Sequence, residues 1–490
     1  MADTDNDPLI DHPSWYGQIR NYFTPTDVEH MGDEGIDLAT YKGVVANAPS
    51  IIAETEAGRM PPAGYPKWSK NRVQTFKNWK ADGFPIGTPP APSAARTTLF
   101  AAAAPARLRK DVASLSADEI KLLKAAFSGM MKRGPTEADS YFKIAGFHWF
   151  PAIDEDPTFH CLHHMDRFLA WHRAHLMHFE DAMRSVEGCG AVTLPYWDVT
   201  TRLPPLLSEE PFASYKLQAN IGHNLDPLTT SRNSPEVIEQ NFAQSPSVSE
   251  LIDTALKQSV WEQFNKIFWQ AHDNGHSGTG PTMRKQSIAA FDPVFWLFHC
   301  NLDRLWLQWQ RSMNATTVVT FKATCQGPTD WLDVPAEGVL PPFKEHAADT
   351  IPSTGVDYAP PAKGAMLMAF ENKTGNMAAA RRFRIDKASP LSIRVKDIDR
   401  SKIPGTFEVH LLADGKKIAR QAFFQPDEPN VCPSCGEQAK VAVDFRIDPD
   451  KVLDKELSVE IHVPDEKETR FPLEKAGEPT INVRHLLEDA

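Results

Sequence analysis

Six histidines in two groups of three constrain this chain more than any other feature. His148, His163 and His172 form the first group and His272, His276 and His299 the second, each set in a stretch dense in aromatics. Of the 17 histidines in 490 residues, 11 fall between His148 and His299, a concentration that even scatter does not give. Neutral imidazole is the side chain that borderline metals such as copper and zinc prefer. Three protein ligands leave a metal open to substrate, whereas a purely structural ion is normally closed off by four. Two triads therefore imply two reactive metals, gathered by helices that face a common centre.

Composition narrows the class of partner. Hydrophobic residues at 41% and charged residues at 24% are ordinary for a globular protein, and the length asks for one large domain with at least one smaller one. A net charge of -12 speaks against nucleic acid and anionic membrane as partners. The start, MADTDNDPLIDHPSWYGQIR, lacks the basic and apolar runs of a secretory signal, and no stretch is long and apolar enough to span a bilayer. Cytoplasm is the expected location. The six cysteines, 161, 189, 300, 325, 432 and 435, are too few for a disulfide framework in a chain of this size.

Periodicity divides the chain. Residues 1–107 read as a helical extension, with DVEHM and VQTFKNWKADG as short helices, followed by a Pro/Ala-rich linker. Residues 108–345 read as helical: Ser116 and Glu119 form a capping box, and apolar residues recur at helical spacing in RFLAWHRAHLMHFEDAMRSV and SVWEQFNKIFWQAHDNGH. Asp292 can cap a helix that starts at Pro293 and carries His299 about two turns in. After a linker at 346–374, residues 375–490 change period. RRFRID, LSIRVKDI, TFEVHLLADGKK, KVAVDFRI and LSVEIHV alternate apolar with polar, as a β-sandwich or jelly roll requires. The expected fold is α+β and multidomain, a helical catalytic core followed by a C-terminal β domain.

His272 and His276 stand four apart, so on a helix both rings leave one face and can grip one ion. His172 lies on an apolar helical face with Phe168 and Trp171, where a polar ring without a partner is costly. Through GFHWFP, CLHHMDRFLAWHRAHLMHFE, LPYWD, HDNGH and FDPVFWLFHCNLDRLW, residues 108–312 resemble the tyrosinase and polyphenol oxidase family of binuclear (type 3) copper proteins. The resemblance implies a four-helix bundle holding two copper ions. His148, His163 and His172 would be the copper A ligands, and His272, His276 and His299 those of copper B. Dioxygen would be the co-substrate and small phenols the substrates, hydroxylated in the ortho position and oxidised to o-quinones. Cys161, two residues before His163, resembles the cysteine that forms a thioether with that ligand in fungal and plant members; a plain buried thiol is the other reading.

Neighbours of the ligands are candidates for orienting their rings. Asp303, Asp198, Arg304, Arg173 and Glu180 occupy matched motif positions, and helix-to-helix ion pairing explains them as well. His160, His164, His175 and His178 are not used by the motif, and solvated helix faces account for them. Phe298, where the family often has another histidine, makes the pocket more apolar. Asp273, where monophenol-hydroxylating members frequently have asparagine, can take a proton from a phenol, with a structural role as the other reading. The family's water-orienting glutamate has no clear match; Glu262 and Gln263 are the nearest candidates. Ser277 and the small residues after it leave the approach to copper B open, and Met283 either packs below a substrate ring or, as is commoner, is a core methionine.

The β domain resembles the shield of longer family members, with TDWLD at 329–333 similar to a plant connecting segment, which implies latency. Phe423, Phe424 and Tyr358 are the candidate plugs, among which the sequence does not choose. Cys432 and Cys435 form a CxxC that fits a cuprous ion in transit, a local disulfide or idle thiols alike. Competing functions are a catechol or o-aminophenol oxidase without monophenol activity, a hemocyanin-like oxygen carrier and, more remotely, a binuclear zinc hydrolase. Homo-oligomerisation is left open.

Overall fold

Capping and apolar spacing decide where the helices begin. The computed structural model describes residues 107–148, 162–216, 229–332, 338–352, 355–362, 391–429, 438–452, 454–464 and 469–485 and, with short gaps, 7–86. In the last of these, α1 (Tyr41–Glu56) and α2 (Lys70–Ala81) close over their own core of Trp15, Phe76 and Trp79. Ser69 caps α2 through the Arg72 N–H, and the chain leaves it through Gly83 at φ 76°, the left-handed conformation glycine adopts without steric cost. Most of DVEHM, all of RRFRID, and His160, Cys161, Cys432 and Cys435 lie outside the described residues.

The capping box read at Ser116 is present and starts α3 (Ala117–Lys132). Two further helices, α4 (Tyr141–Gly146) and α5 (Phe168–Arg184), carry the approach to His148 and the FLAWHR run. α6 (Pro235–Phe242) and α7 (Val248–Leu256) lead into α8 (Trp261–Thr279), α9 (Pro281–Arg284) and α10 (Val294–Ser312). α10 begins one residue later than read, at Val294, whose N–H the Asp292 carboxylate accepts at 3.0 Å. Trp171, Trp296, Trp306 and Trp309 are fully buried where α5, α8 and α10 pack, so the wide aromatic side chains fill the bundle's interior. No helix among the described residues is long and apolar enough to cross a membrane.

A short parallel pair, β1 (Arg107–Arg109) with β2 (Val356–Tyr358), ties the two ends of the helical region together. The remaining strands are β3 (Leu391–Asp399), β4 (Phe407–Ala413), β5 (Lys416–Phe423), β6 (Lys440–Ile447), β7 (Leu457–Val463), β8 (Thr469–Phe471) and β9 (Thr480–His485). They form two sheets, ordered β6-β3-β9 and β5-β4-β7-β8, closed on a core that includes Ile393, Val409, Leu411, Phe445 and Ile461. This is the sandwich that the alternating pattern predicted. Every residue of β4 is buried, although one side of a two-layer sandwich normally faces water. The reason is that its outer face lies against the helical core.

β5 is an edge strand, and its outward N–H groups need acceptors. The helical core supplies them: Arg420 N–H donates to the Ser245 carbonyl (2.8 Å), Ala422 N–H to Asn274 Oδ1 (2.8 Å) and Phe424 N–H to Asp273 Oδ2 (3.1 Å). Thr406 Oγ1 adds a bond to the Arg284 carbonyl at 2.7 Å. The lid is thereby docked, largely through its own backbone N–H groups, onto side chains of α8 and onto neighbouring carbonyls, directly over the histidines.

Candidate metal centre

Each ligand is delivered by a different local device. His172 projects from α5, His272 and His276 from one face of α8, and His299 from α10, while His148 follows α4 and His163 precedes α5. Gly275 does not end α8: its missing Cβ leaves room for the Phe298 ring, which would stand 2.5 Å from a Cβ placed there. Phe298 is fully buried and 5.3 Å from the His276 ring, an apolar wall beside the second triad.

Both triads come together. Within each, one nitrogen from every ring lies within 4.8 Å of the others, and all six residues are buried. The triads share one chamber: His172 stacks on His299 at 4.3 Å, and His163 faces His272 at 5.2 Å. The remote nitrogens show how the rings are set. Nδ1–H of His148 donates to the Gln286 carbonyl (3.1 Å), that of His172 to the Phe168 carbonyl (2.9 Å), that of His276 to the Met283 carbonyl (2.7 Å) and that of His272 to Asp273 Oδ1 (2.8 Å). Because carbonyls and carboxylates only accept, Nδ1 holds the proton and Nε2 presents a lone pair.

These Nε2 atoms are what a metal would take. Those of His148, His172 and His272 are buried and have no hydrogen-bond partner among the described residues, and those of His276 and His299 stand 3.1 Å apart. A buried lone pair with no donor is costly, and several aimed at one place are a cation's donor set. All-imidazole donors fit copper and disfavour the carboxylate-rich sites of binuclear hydrolases. Burial, and then the neighbouring imidazoles, hold the pKa of His163, His172, His276 and His299 well below the ordinary histidine range. The metal-free protein is thus expected to lose stability as pH falls below about 6.5, because the unfolded chain takes up protons on these rings that the folded chain refuses. Denaturant midpoints between pH 8 and 5, with and without copper, check this.

Several residues read from the motif do other work. Asp273 is bonded on both oxygens, to His272 through Oδ1 and to His164 (2.7 Å) and the Phe424 N–H through Oδ2. Burial raises its pKa, but His164 and His272 outweigh that and hold it well below the usual carboxylate range. In this state it orients a ligand and has no oxygen turned to a substrate. Ser277 Oγ donates to Glu408 Oε1 of β4 at 2.6 Å, so the approach to copper B expected to be open is covered. Glu262 sits in the first turn of α8, about 15 Å along the axis from His272, and accepts the Gln326 and Gly327 N–H groups. It is no water-orienting group of this site.

Asp303 pairs with Arg173, Arg109 and Tyr358, and Asp198 accepts from Thr200 and stands near Arg304. Neither touches a ligand imidazole, and Glu180 likewise binds Arg109 and the Leu194 N–H. Met283 orients His276 through its backbone, while its side chain belongs to the helical core. His164 and His175, read as solvated, are buried; His175 Nε2–H donates to the Ile144 carbonyl, and burial pushes its pKa down to about 3. His178 is on a half-exposed face, bonded to Glu345.

One residue beside the ligands escaped the sequence reading. Gln286 touches two imidazoles of the first triad, His148 through its carbonyl and His163 Nδ1 through its side-chain amide (2.9 Å), from a loop that follows α9. Only contact in space could reveal it. Of the three candidate plugs, Phe424 is the one that reaches the imidazoles: fully buried, it stacks on His276 at 4.1 Å and lies 5.0 Å from His163 and 5.6 Å from His272. Phe423 stacks on Phe407 within the β domain, and Tyr358 is tied to Asp303 on another side of the bundle.

Comparison with known proteins agrees with this geometry. Residues 138–224 and 205–312 match the family described as the common central domain of tyrosinase. Hemocyanin A-type, units Ode to Odg, of Enteroctopus dofleini is 29% identical over 241 residues, 44% of this chain and 19% of that protein. Hemocyanin units G and H of Sepia officinalis is 32% identical over 235 residues, covering 45% of this chain and 40% of that protein. The chain thus spans less than half the length of either. Among solved structures, a tyrosinase from Burkholderia thailandensis superposes with a TM-score of 0.56 at 17% identity, over 77% of this chain and 100% of that one. A functional unit of octopus hemocyanin gives 0.55 at 19% identity, over 77% and 99%. Residues 138–312 thus match the common central domain of tyrosinase, and the chain carries two buried histidine triads on the type 3 copper fold that tyrosinases and hemocyanins share.

Proposed function

We propose that this chain is a tyrosinase-type copper enzyme that hydroxylates monophenols and oxidises o-diphenols to o-quinones with dioxygen, and that its C-terminal domain keeps it latent. Phe424 carries the reading. A six-membered aromatic ring lies flat over His276 in the histidine chamber, so that place accepts a flat apolar ring of phenol's size. Two copper ions, held by His148, His163 and His172 and by His272, His276 and His299, would supply two-electron exchange with dioxygen beside that ring.

The chain's own groups do the rest. Phe168, Phe295 and Phe298 are fully buried around the imidazoles and keep water out. When the lid strand withdraws, Asp273 Oδ2 loses the Phe424 N–H, which leaves acceptor capacity turned to the vacated place. A phenol hydroxyl seated there can deliver its proton to that oxygen. In the balance of a monophenol, one oxygen atom of dioxygen enters the ring, the other leaves as water, and the product is an o-quinone. Two catechols per dioxygen give two quinones and two waters. With a catechol alone as substrate, no oxygen atom enters the ring.

Oxygen uptake tests this on copper-loaded protein, first with a monophenol and then with a catechol, before and after mild proteolysis of the β domain. Uptake with both, appearing after trimming, is the expected result. Catechol turnover alone would reduce the reading to a catechol oxidase. A second reading, an oxygen carrier, is favoured by the hemocyanin relatives at 29% and 32% identity over part of the chain. It predicts reversible oxygenation with no turnover of either substrate once the lid is gone.

A further inference from the structure

His164 stands next to a ligand of the first triad, yet its side chain serves the second. Its backbone is left-handed at φ 59°, a conformation that a residue with a Cβ adopts only where its surroundings hold it, and the residue is 5% exposed. The ring is bonded at both nitrogens. Arg400 Nη1, from the turn after β3 in the lid, stands 2.9 Å from Nδ1, and Asp273 Oδ2 stands 2.7 Å from Nε2. Guanidinium only donates, so Nδ1 accepts, and Nε2–H must donate to Asp273. Asp273 in turn takes the His272 Nδ1–H on its other oxygen. The lid is held at the same point a second time, since Gln438 Nε2 donates to the His164 carbonyl at 3.1 Å. Arg400 also holds Gln425, the residue after Phe424, through Oε1 at 3.0 Å. One lid cation thus touches both the core histidine and the neighbour of the plug.

We propose that His164 is a positioning residue that couples the seating of the lid to the orientation of the metal ligand His272, through the chain Arg400, His164, Asp273, His272. The physical basis is the anchoring of the ring at both nitrogens. With Arg400 in place, Nδ1 of His164 is an acceptor and Nε2–H pins the Asp273 carboxylate, so that its other oxygen faces His272. Without Arg400 the ring loses its anchor at Nδ1 and is free to turn, which unpins Asp273 Oδ2 and frees the carboxylate to rotate. His272 then loses the partner that fixes its ring, a type of loss that lowers metal affinity by about 10–100-fold. By linkage, whatever weakens the metal on His272 when the lid contact is cut must equally weaken the lid when that metal is absent. The lid would therefore be a reader of metal loading as well as a cover.

The inference rests on the copper reading above, and the test separates the two. Cuprous-ion affinity is measured by chelator competition on the full chain in a His148→Ala background, where His272, His276 and His299 remain the complete triad. His164→Phe is expected to weaken the ion by about 10–100-fold. His164→Gln, which keeps an N–H donor, should recover most of that loss, and Arg400→Gln, a change confined to the lid, should shift affinity in the same direction as His164→Phe. Thermal unfolding confirms that each variant is folded. Parent and variants binding the ion equally would overturn the relay alone. A loss in His164→Phe with none in Arg400→Gln would overturn the coupling to the lid. A parent that binds no cuprous ion would sink the copper reading and the relay with it.

Discussion

Phe424→Ala is expected to make the intact, untrimmed protein oxidise catechol at least about tenfold faster, equivalent to about 1.4 kcal/mol removed from the obstacle to substrate. The Phe424 ring occupies the place a substrate ring needs, stacked on His276 at an interplanar angle of 24°. Its removal leaves the ligands, Asp273 and Gln286 untouched, so the chemistry is spared while the occupant is gone. The same substitution should cost about 3–5 kcal/mol of packing, as deleting a buried phenylalanine does, and that cost falls on the contact between lid and core. Both effects push toward an open site. Oxygen consumption by the variant with no protease present is the measurement. Unchanged, negligible turnover, in a variant that trimming still activates, would place the obstacle elsewhere in the lid, with the Ser277–Glu408 contact the next suspect.

His299→Ala should lower copper from about two ions to about one per chain, since a triad reduced to two imidazoles no longer has the three-ligand set of an open metal site. His299 is also the ring that joins the triads, stacked at 4.3 Å on His172 and with Nε2 3.1 Å from that of His276. Exchange of two electrons with dioxygen needs both ions, so turnover of catechol by the trimmed variant should fall to background. Metal analysis of the reconstituted, dialysed protein reads the first effect and oxygen uptake the second. Two coppers retained with full turnover would show that the chemistry does not run through this triad.

How much of this was legible in the chain depends on the distance over which each feature is decided. The β domain was readable because side-chain alternation is a local property: LSIRVKDI and KVAVDFRI each show it, and they pair as β3 and β6. The helices carrying the histidines were readable for the same reason, as was the cap at Ser116. Phe423 and Phe424 are neighbours with equal claims in the sequence. A strand points successive side chains to opposite sides, so which of the two enters the chamber follows from how β5 lies on α8. Buried charges misled in a consistent way. Asp303 and Asp198 sit at motif positions, but their partners are Arg173, Arg109 and Thr200, chosen by helix packing. Sequence spacing around Glu262 suggested nearness to the metals, while ten residues of helix carry it away from them.

The sequence by itself determined that six imidazoles of the right type and spacing exist, on helices able to carry them, with a β domain to follow. The tertiary structure decided what surrounds them: Gln286 behind the first triad, His164 and Asp273 behind the second, and Phe424 in the middle. Periodicity and ligand chemistry are written in neighbouring residues and survive without a fold. A hydrogen bond between His164 and Arg400, 236 positions apart, exists only when two domains dock and take both groups out of water.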